Sequence, residues 1–89
     1  MEKRQQLEAI EKMLRELEDV KNSQESLLKK IAQIEAENMN VGVSILEKEL
    51  PDVHEAADSN IKRLSQLLAK LQQHRDEFAK KHKLDAVEV

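Results

Sequence analysis

The stretch from Ile10 to Val41, IEKMLRELEDVKNSQESLLKKIAQIEAENMNV, decides the fold because its apolar residues recur at alternating steps of three and four. This spacing puts the residues on one face of an α-helix and is typical of a coiled-coil seam. The repeat keeps its phase through Ile45, and it predicts a long helix that packs against another helix. We call these residues the first seam: Ile10, Met13, Leu17, Val20, Gln24, Leu27, Ile31, Ile34, Asn38, Val41 and Ile45.

A second seam with the same spacing follows in the other half of the chain. It is interrupted once by a basic residue and ends on a histidine, and it predicts a second long helix. Its members are Ala57, Ile61, Leu64, Leu68, Leu71, Arg75, Phe78 and His82.

The helix bounds follow from residues that start and stop helices. We expect a helix over residues 3–40, a connector over 41–52 with a helical turn at 45–50, a helix over 53–83 and a frayed tail at 84–89. Gly and Pro residues in the connector favour a helix end and an interruption. The extension of the first seam to Val41 and Ile45 favours a longer first helix, so the position of the turn stays open. Asn22-Ser23 has the pattern of a helix start, but the unbroken seam favours continuity there.

Composition agrees with an all-α fold. Charged residues make up 37% of the 89-residue chain and aromatic residues 1%, with one Gly and one Pro, which disfavours a sheet. The sequence predicts one domain, a long antiparallel helical hairpin resembling a coiled coil. A third apolar column widens both faces, so a second copy or another helical protein is expected to complete a three- or four-helix bundle. The flanking residues are Leu7, Leu14 and Leu28 on the first helix, and Val53 and Leu67 on the second.

Three polar residues interrupt the seams: Gln24, Asn38 and Arg75. One interpretation is that they set the register, because a slipped pairing would leave a buried polar group without a partner. The other is that they lie near solvent at the bundle ends. If Asn38 sets register, Asn38→Leu should raise thermal stability while broadening the distribution of oligomers. Arg75 is expected to lie opposite the segment between Glu18 and Glu25, in reach of an ion pair.

Charge and targeting signals restrict partners and compartment. The net charge is −3, but residues 60–84 hold seven basic residues against two acidic ones. This basic segment is expected to pack beside the acidic first helix; nucleic-acid binding is the alternative, although stacking aromatics are missing. No cleavable signal or membrane-spanning segment is recognisable, which favours a cytoplasmic protein and leaves export without a cleaved signal open.

Catalytic, cofactor and metal motifs are missing from the sequence. His74 and His82 are eight residues apart, whereas a helical metal pair needs ligands four apart. His54 has acidic neighbours, but one histidine among carboxylates is typical of a polar surface. We therefore expect a non-enzymatic protein without cofactor or metal.

The function that these features favour is a protein–protein interaction module, such as an adaptor, a small subunit or a chaperone-like hairpin that docks through its aliphatic face. Two alternatives remain. The layout of two helices around a turn is similar to that of the WXG family of small secreted helical hairpins, which implies an exported protein or a targeting partner of a secretion system. The segment Asn40-Val41-Gly42 lacks the Trp of that family, and its Tyr-containing tail motif does not follow Phe78. A regulator that binds nucleic acid, or a nucleic-acid enzyme, through the basic second helix is the other alternative.

Overall fold

The computed structural model describes residues 2–84, which form two long helices. Helix α1 covers Lys3–Val41 and helix α2 covers Ser44–Lys81. The two pack side by side as an antiparallel hairpin with extents of 62 × 22 × 16 Å. This confirms the all-α hairpin, and α1 continues through Asn22-Ser23 as the seam indicated.

The connector is much shorter than the sequence predicted. Gly42 and Val43 alone separate the helices, so the expected connector over 41–52 is corrected to two residues. Gly42 ends α1 in the left-handed region, at φ 74°, and its N–H donates to the Asn38 carbonyl at 2.7 Å. A left-handed residue is sterically cheap only for glycine, which explains why α1 ends here.

Helix α2 starts nine residues earlier than expected and runs through Pro51. An interior proline removes one backbone hydrogen bond and costs about 3 kcal/mol. Pro51 is exposed, so water can reach the carbonyl that it leaves without a helical donor. The residues around it gain contacts: Leu46 and Leu50 are half-buried, and His54 bonds to α1. These contacts offset the proline cost, which is why the helix does not restart after it.

The side chain of Asn38 holds the turn together. It is 7% exposed; its Nδ2 donates to the Val43 carbonyl at 3.1 Å, and its Oδ1 accepts from the Val43 N–H at 2.9 Å. Both polar groups of this buried amide are therefore satisfied within the hairpin. The Val43 N–H and carbonyl both bond to Asn38, and the carbonyl also accepts from the Glu47 N–H of α2 at 3.1 Å. The Asn38 side chain therefore ties the start of α2 to the end of α1 and fixes where the chain reverses.

Helix α2 ends in a Schellman arrangement. Lys83 has φ 57°, its N–H donates to the Lys80 carbonyl at 3.2 Å, and the Leu84 N–H donates to the Ala79 carbonyl at 2.8 Å. This motif satisfies carbonyls that the helix end would otherwise leave without donors. Leu84 is half-buried and thus belongs to the folded hairpin; the rest of the predicted frayed tail lies outside the described residues.

The contact between the helices follows a heptad pattern, in which we assign Leu7 to position a. Every a and d residue from Leu7 to Asn38 on α1, and from Leu50 to His82 on α2, is buried or half-buried. The second seam, Ala57 to His82, occupies the a and d positions of α2 and faces α1. On α1 the a and d positions are Leu7, Ile10, Leu14, Leu17, Lys21, Gln24, Leu28, Ile31, Glu35 and Asn38.

Candidate docking face

The first seam is divided by the fold. Its d residues, Ile10, Leu17, Gln24, Ile31 and Asn38, lie in the contact with α2. Met13, Val20, Leu27, Ile34 and Val41 occupy position g and are exposed, so about half of the most regular apolar pattern of the chain stays uncovered. Ile45, which the seam also included, lies in α2 at position f and is 62% exposed. The flanking residues Leu7, Leu14 and Leu28 take the a positions instead.

The exposed g residues of α1 form a stripe with a spacing of seven. Their exposed fractions are 47% for Met13, 46% for Val20, 47% for Leu27, 37% for Ile34 and 73% for Val41. Seven residues correspond to nearly two helical turns, so these side chains lie almost directly above one another along the helix. The stripe is therefore a continuous apolar ridge on one side of α1.

Helix α2 extends this apolar surface on the same side of the hairpin. Around an α-helix, positions g and e flank the a/d contact on opposite sides, and in an antiparallel pair the two g columns share one side. The g positions of α2 hold Leu46, Val53, Asn60, Leu67 and His74, of which Val53 is 49% and Leu67 47% exposed. A shallow groove near the turn is lined by residues of both helices, among them Ile34, Val41 and Leu46. We call the g residues of both helices the g face.

The opposite side of the hairpin, which we call the e face, has a different character. Position e holds Glu11, Glu18 and Glu25 on α1 and Asp58 on α2. Grooves on this side are lined by these acids together with residues of the contact, such as Leu28 and Ile61. One side of the hairpin thus carries a continuous apolar stripe on α1, whereas the other carries four acidic residues together with Ala32 and the 86% exposed Met39.

Two polar contacts across the helices fix their register. Arg75 donates from both Nε and Nη2 to Glu11 Oε2, at 3.0 and 2.6 Å, and from Nη1 to Asp76 at 3.2 Å. These hydrogen bonds raise the pKa of the Arg75 guanidinium, and the bond to Glu11 contributes more than the bond to Asp76. Near the turn, His54 Nδ1 lies 2.7 Å from Glu35 Oε1. Hydrogen bonds that involve charged groups are stronger than neutral ones, so these contacts favour the observed pairing over a slipped one.

The predicted partner of Arg75 is corrected by this register. We expected Arg75 to lie opposite the segment between Glu18 and Glu25, but its partner on α1 is Glu11. The difference follows from the turn: with the reversal at residues 42–43 instead of within 41–52, every α2 residue meets an earlier part of α1. Gln24, the remaining polar seam residue, is half-buried at position d.

Sequence reasoning missed the polar members of the contact. Lys21, Glu35 and His54 occupy a positions, although none of them belongs to an apolar pattern. Counting in steps of seven from Leu7 through Leu14 and Leu28 also gives positions 21 and 35. This spacing could have predicted that Lys21 and Glu35 lie in the contact.

Within residues 2–84, no group of three or more His, Asp or Glu side chains is arranged to hold a metal ion. Phe78 lies between two histidines, with ring centroids 6.3 Å from His74 and 4.6 Å from His82, which is an aromatic cluster near the end of α2. The described helices also contain no apolar window long enough to cross a bilayer.

Several basic residues of α2 lie on its outer face, away from α1. Arg63 and Lys70 occupy position c and Lys80 position f, about 60° apart around the helix, and Lys62 at position b pairs with Asp58 at 3.1 Å. Arg75 instead faces α1 and bonds to Glu11. A nucleic-acid backbone is bound by several cations that face it together. The cations of the outer face are interspersed with Asp76 at position b and Glu77 at position c, so its charge is mixed.

No protein-family model matches this chain, and the comparisons with curated proteins and with solved structures returned no significant match.

Proposed function

We propose that this chain is a non-enzymatic protein–protein interaction module, of the adaptor, small-subunit or chaperone-like kind, that docks another helical surface on its g face. The observation that supports the proposal is the exposed stripe of five apolar residues on α1, extended by Val53 and Leu67 on α2. Exposed apolar surface of this extent on a small protein is typical of a binding site.

The spacing of the stripe indicates what kind of surface it binds. The d and g residues of α1 alternate in steps of three and four from Ile10 to Val41, which is the pattern of a knobs-into-holes contact. The d residues already contact α2, so a docked helix would pack against the g column of α1, beside the contact with α2. A partner helix with its own heptad repeat is the occupant that this geometry fits.

A site-specific photo-cross-linking experiment in the native host tests this function. A photoreactive phenylalanine analogue replaces Leu27 on the g face, and in a matched control it replaces Ala32, which is exposed at position e. We expect discrete cross-linked products from the Leu27 position and few from the Ala32 position, because docking buries only the first. Equal products from both positions, or none from Leu27, would contradict the proposed function.

A further inference from the structure

We propose that the occupant of the g face is a second copy of this chain, packed face to face around a two-fold axis perpendicular to the helices to give a four-helix bundle. This inference rests on the proposed function and names its partner. In the bundle α1 packs antiparallel against α1 of the second copy, α2 packs against α2, and the two turns lie at opposite ends.

The size of the face suits such a dimer. From Met13 to Val41 the stripe covers 28 residues, about 42 Å of helix at 1.5 Å per residue. The hairpin is 22 Å across, so the face offers roughly 900 Å² in projection. A stable interface of ordinary size buries about 800 Å² on each partner. One second copy can therefore cover the whole g face.

The thin interior of the hairpin gives this burial a physical reason. Within residues 2–84 the buried apolar side chains are Leu7, Ile10, Ile31, Ala57 and Ala79, and none of the large ones falls below 2% exposure. Two helices in contact along one line enclose little apolar volume, and small domains of this kind gain stability by association. Packing a second hairpin on the g face converts the d and g residues into a true core.

The g columns of α1 and α2 are centred at the same height along the hairpin, so one two-fold axis can relate both columns to those of the second copy. Residues that meet across the hairpin have numbers that add up to 86 for Glu11 and Arg75, and to 89 for Glu35 and His54. The α1 stripe from Met13 to Val41 is centred at residue 27 and the α2 g positions from Leu46 to His74 are centred at residue 60, and these numbers add up to 87. Both columns are therefore centred at the same height, and a single perpendicular two-fold axis passes through both centres. A C2 interface requires this kind of self-complementarity.

The side chains that this axis brings together are largely matched in polarity. On α1, Leu27 meets its own counterpart, Val20 meets Ile34 of the second copy and Met13 meets its Val41, so the all-apolar stripe packs on another all-apolar stripe. On α2, Val53 meets Leu67 of the second copy and Asn60 meets its own counterpart, whereas Leu46 meets a polar residue, His74. The alternative axis, parallel to the helices, would place Leu27 against Asn60 and Met13 against His74. Burying a polar group against an apolar one costs free energy unless it finds a hydrogen bond, which favours the perpendicular axis.

Charges at the edge of the face are of both signs. On α1, Glu16 comes close to Glu37 of the second copy, and both are exposed at position c. On α2, Lys70 at position c comes close to the exposed Glu49 of the second copy. Exposed pairs of either sign contribute under about 1 kcal/mol, so the apolar contact decides.

The first test is the solution mass of the purified full chain by light scattering across a hundredfold range of concentration. We expect twice the 10.3 kDa of one chain. Leu27→Glu should weaken dimerisation at least about a hundredfold, because its charge would be buried at the centre of the interface, against the same charge on the second copy. The control Ala32→Glu, on the e face, should leave the mass unchanged. Circular dichroism shows whether each variant keeps its helices.

The second test measures orientation in the unmutated core and does not depend on how the Leu27 variant folds. The chain has no cysteine, so Asn40→Cys gives a single site for a spin label on the exposed side of α1 near the turn. Residue 40 lies 13 residues from the axis, which puts two labels about 40 Å apart in the perpendicular arrangement. In the parallel arrangement both turns share one end and the labels lie within about 30 Å, by the same helix dimensions.

Each outcome has a definite meaning. A dimer that Leu27→Glu dissociates, with labels about 40 Å apart by helix geometry, supports the proposal. A short label distance overturns the perpendicular axis, and a dimer unaffected by Leu27→Glu overturns the g face as the interface. A helical monomer at every concentration overturns the second copy as partner; if the Leu27 position still cross-links in the host, the proposed function stands with a different helical protein in that place.

Discussion

The turn between the helices depends on one side chain, and its removal is the sharpest test of the fold. Asn38→Ala deletes both hydrogen bonds to the Val43 backbone, at 2.9 and 3.1 Å, while leaving the backbone bond from Gly42 to the Asn38 carbonyl in place. The variant therefore isolates what the side chain contributes to closing the hairpin.

The expected loss follows from those two bonds. A net hydrogen bond contributes about 1 kcal/mol, and a polar group left without a partner costs more when it is buried. Val43 is 39% exposed, so water can replace part of what its backbone loses. We expect a loss of about 2 kcal/mol, or a fall of roughly 8–16 °C in Tm for a chain of this size.

Thermal unfolding followed by circular dichroism at one fixed protein concentration measures this effect. The matched control is Asn40→Ala, an exposed asparagine two residues away, which should change stability by less than about 0.5 kcal/mol. The structure also reverses the sequence-based expectation for Asn38→Leu, which should now lower Tm because leucine cannot bond the Val43 N–H and carbonyl. Equal Tm values for Asn38→Ala and Asn40→Ala, or a higher Tm for Asn38→Leu, would refute this account of the turn.

Three further experiments test other parts of the hairpin by the same unfolding measurement. Pro51→Ala should raise stability by about 1–3 kcal/mol, because alanine restores the N–H that an interior proline lacks; an unchanged Tm would mean that the helix is already distorted there. Lys83→Gly should raise it by about 0.5–1 kcal/mol, because a non-glycine residue at φ 57° is strained, whereas Lys81→Gly, inside the helix, should lower it. Arg75→Met and Glu11→Gln, combined in a double-mutant cycle, should show a coupling of about 1 kcal/mol that shrinks in 1 M salt; a coupling near zero would mean that the ion pair does not set the register.

The residues of α2 show how much local pattern can predict. From Ala57 to His82 the second seam has a single phase of apolar residues, and it faces α1 in the structure. Helix type and antiparallel pairing likewise follow from the heptad repeat and from a chain reversal near the middle. The turn was placed too broadly because Pro51 was weighed by its local cost alone, while the contacts of Leu46, Leu50 and His54 that offset this cost exist only once α1 is alongside.

In helix α1 the apolar pattern alone does not predict which face packs against α2. Its d residues belong to two overlapping seams, one with the a column and one with the g column, and the two differ by a rotation of about 60° around the helix axis. Judged by apolar content the g column is the better of the two, yet the hairpin buries the a column, which contains Lys21 and Glu35.

By itself, then, the sequence determined two long amphipathic helices and the inward face of α2, because a periodic pattern on one helix is a property of that helix alone. Which seam of α1 faces α2 was decided by the tertiary structure. The rotation of α1 depends on pairs across the hairpin, Glu35 with His54 and Glu11 with Arg75, and on the Asn38 contact that sets where the chain reverses. Such pairs join residues far apart in sequence, so no local period encodes them; their geometry leaves the apolar g column exposed.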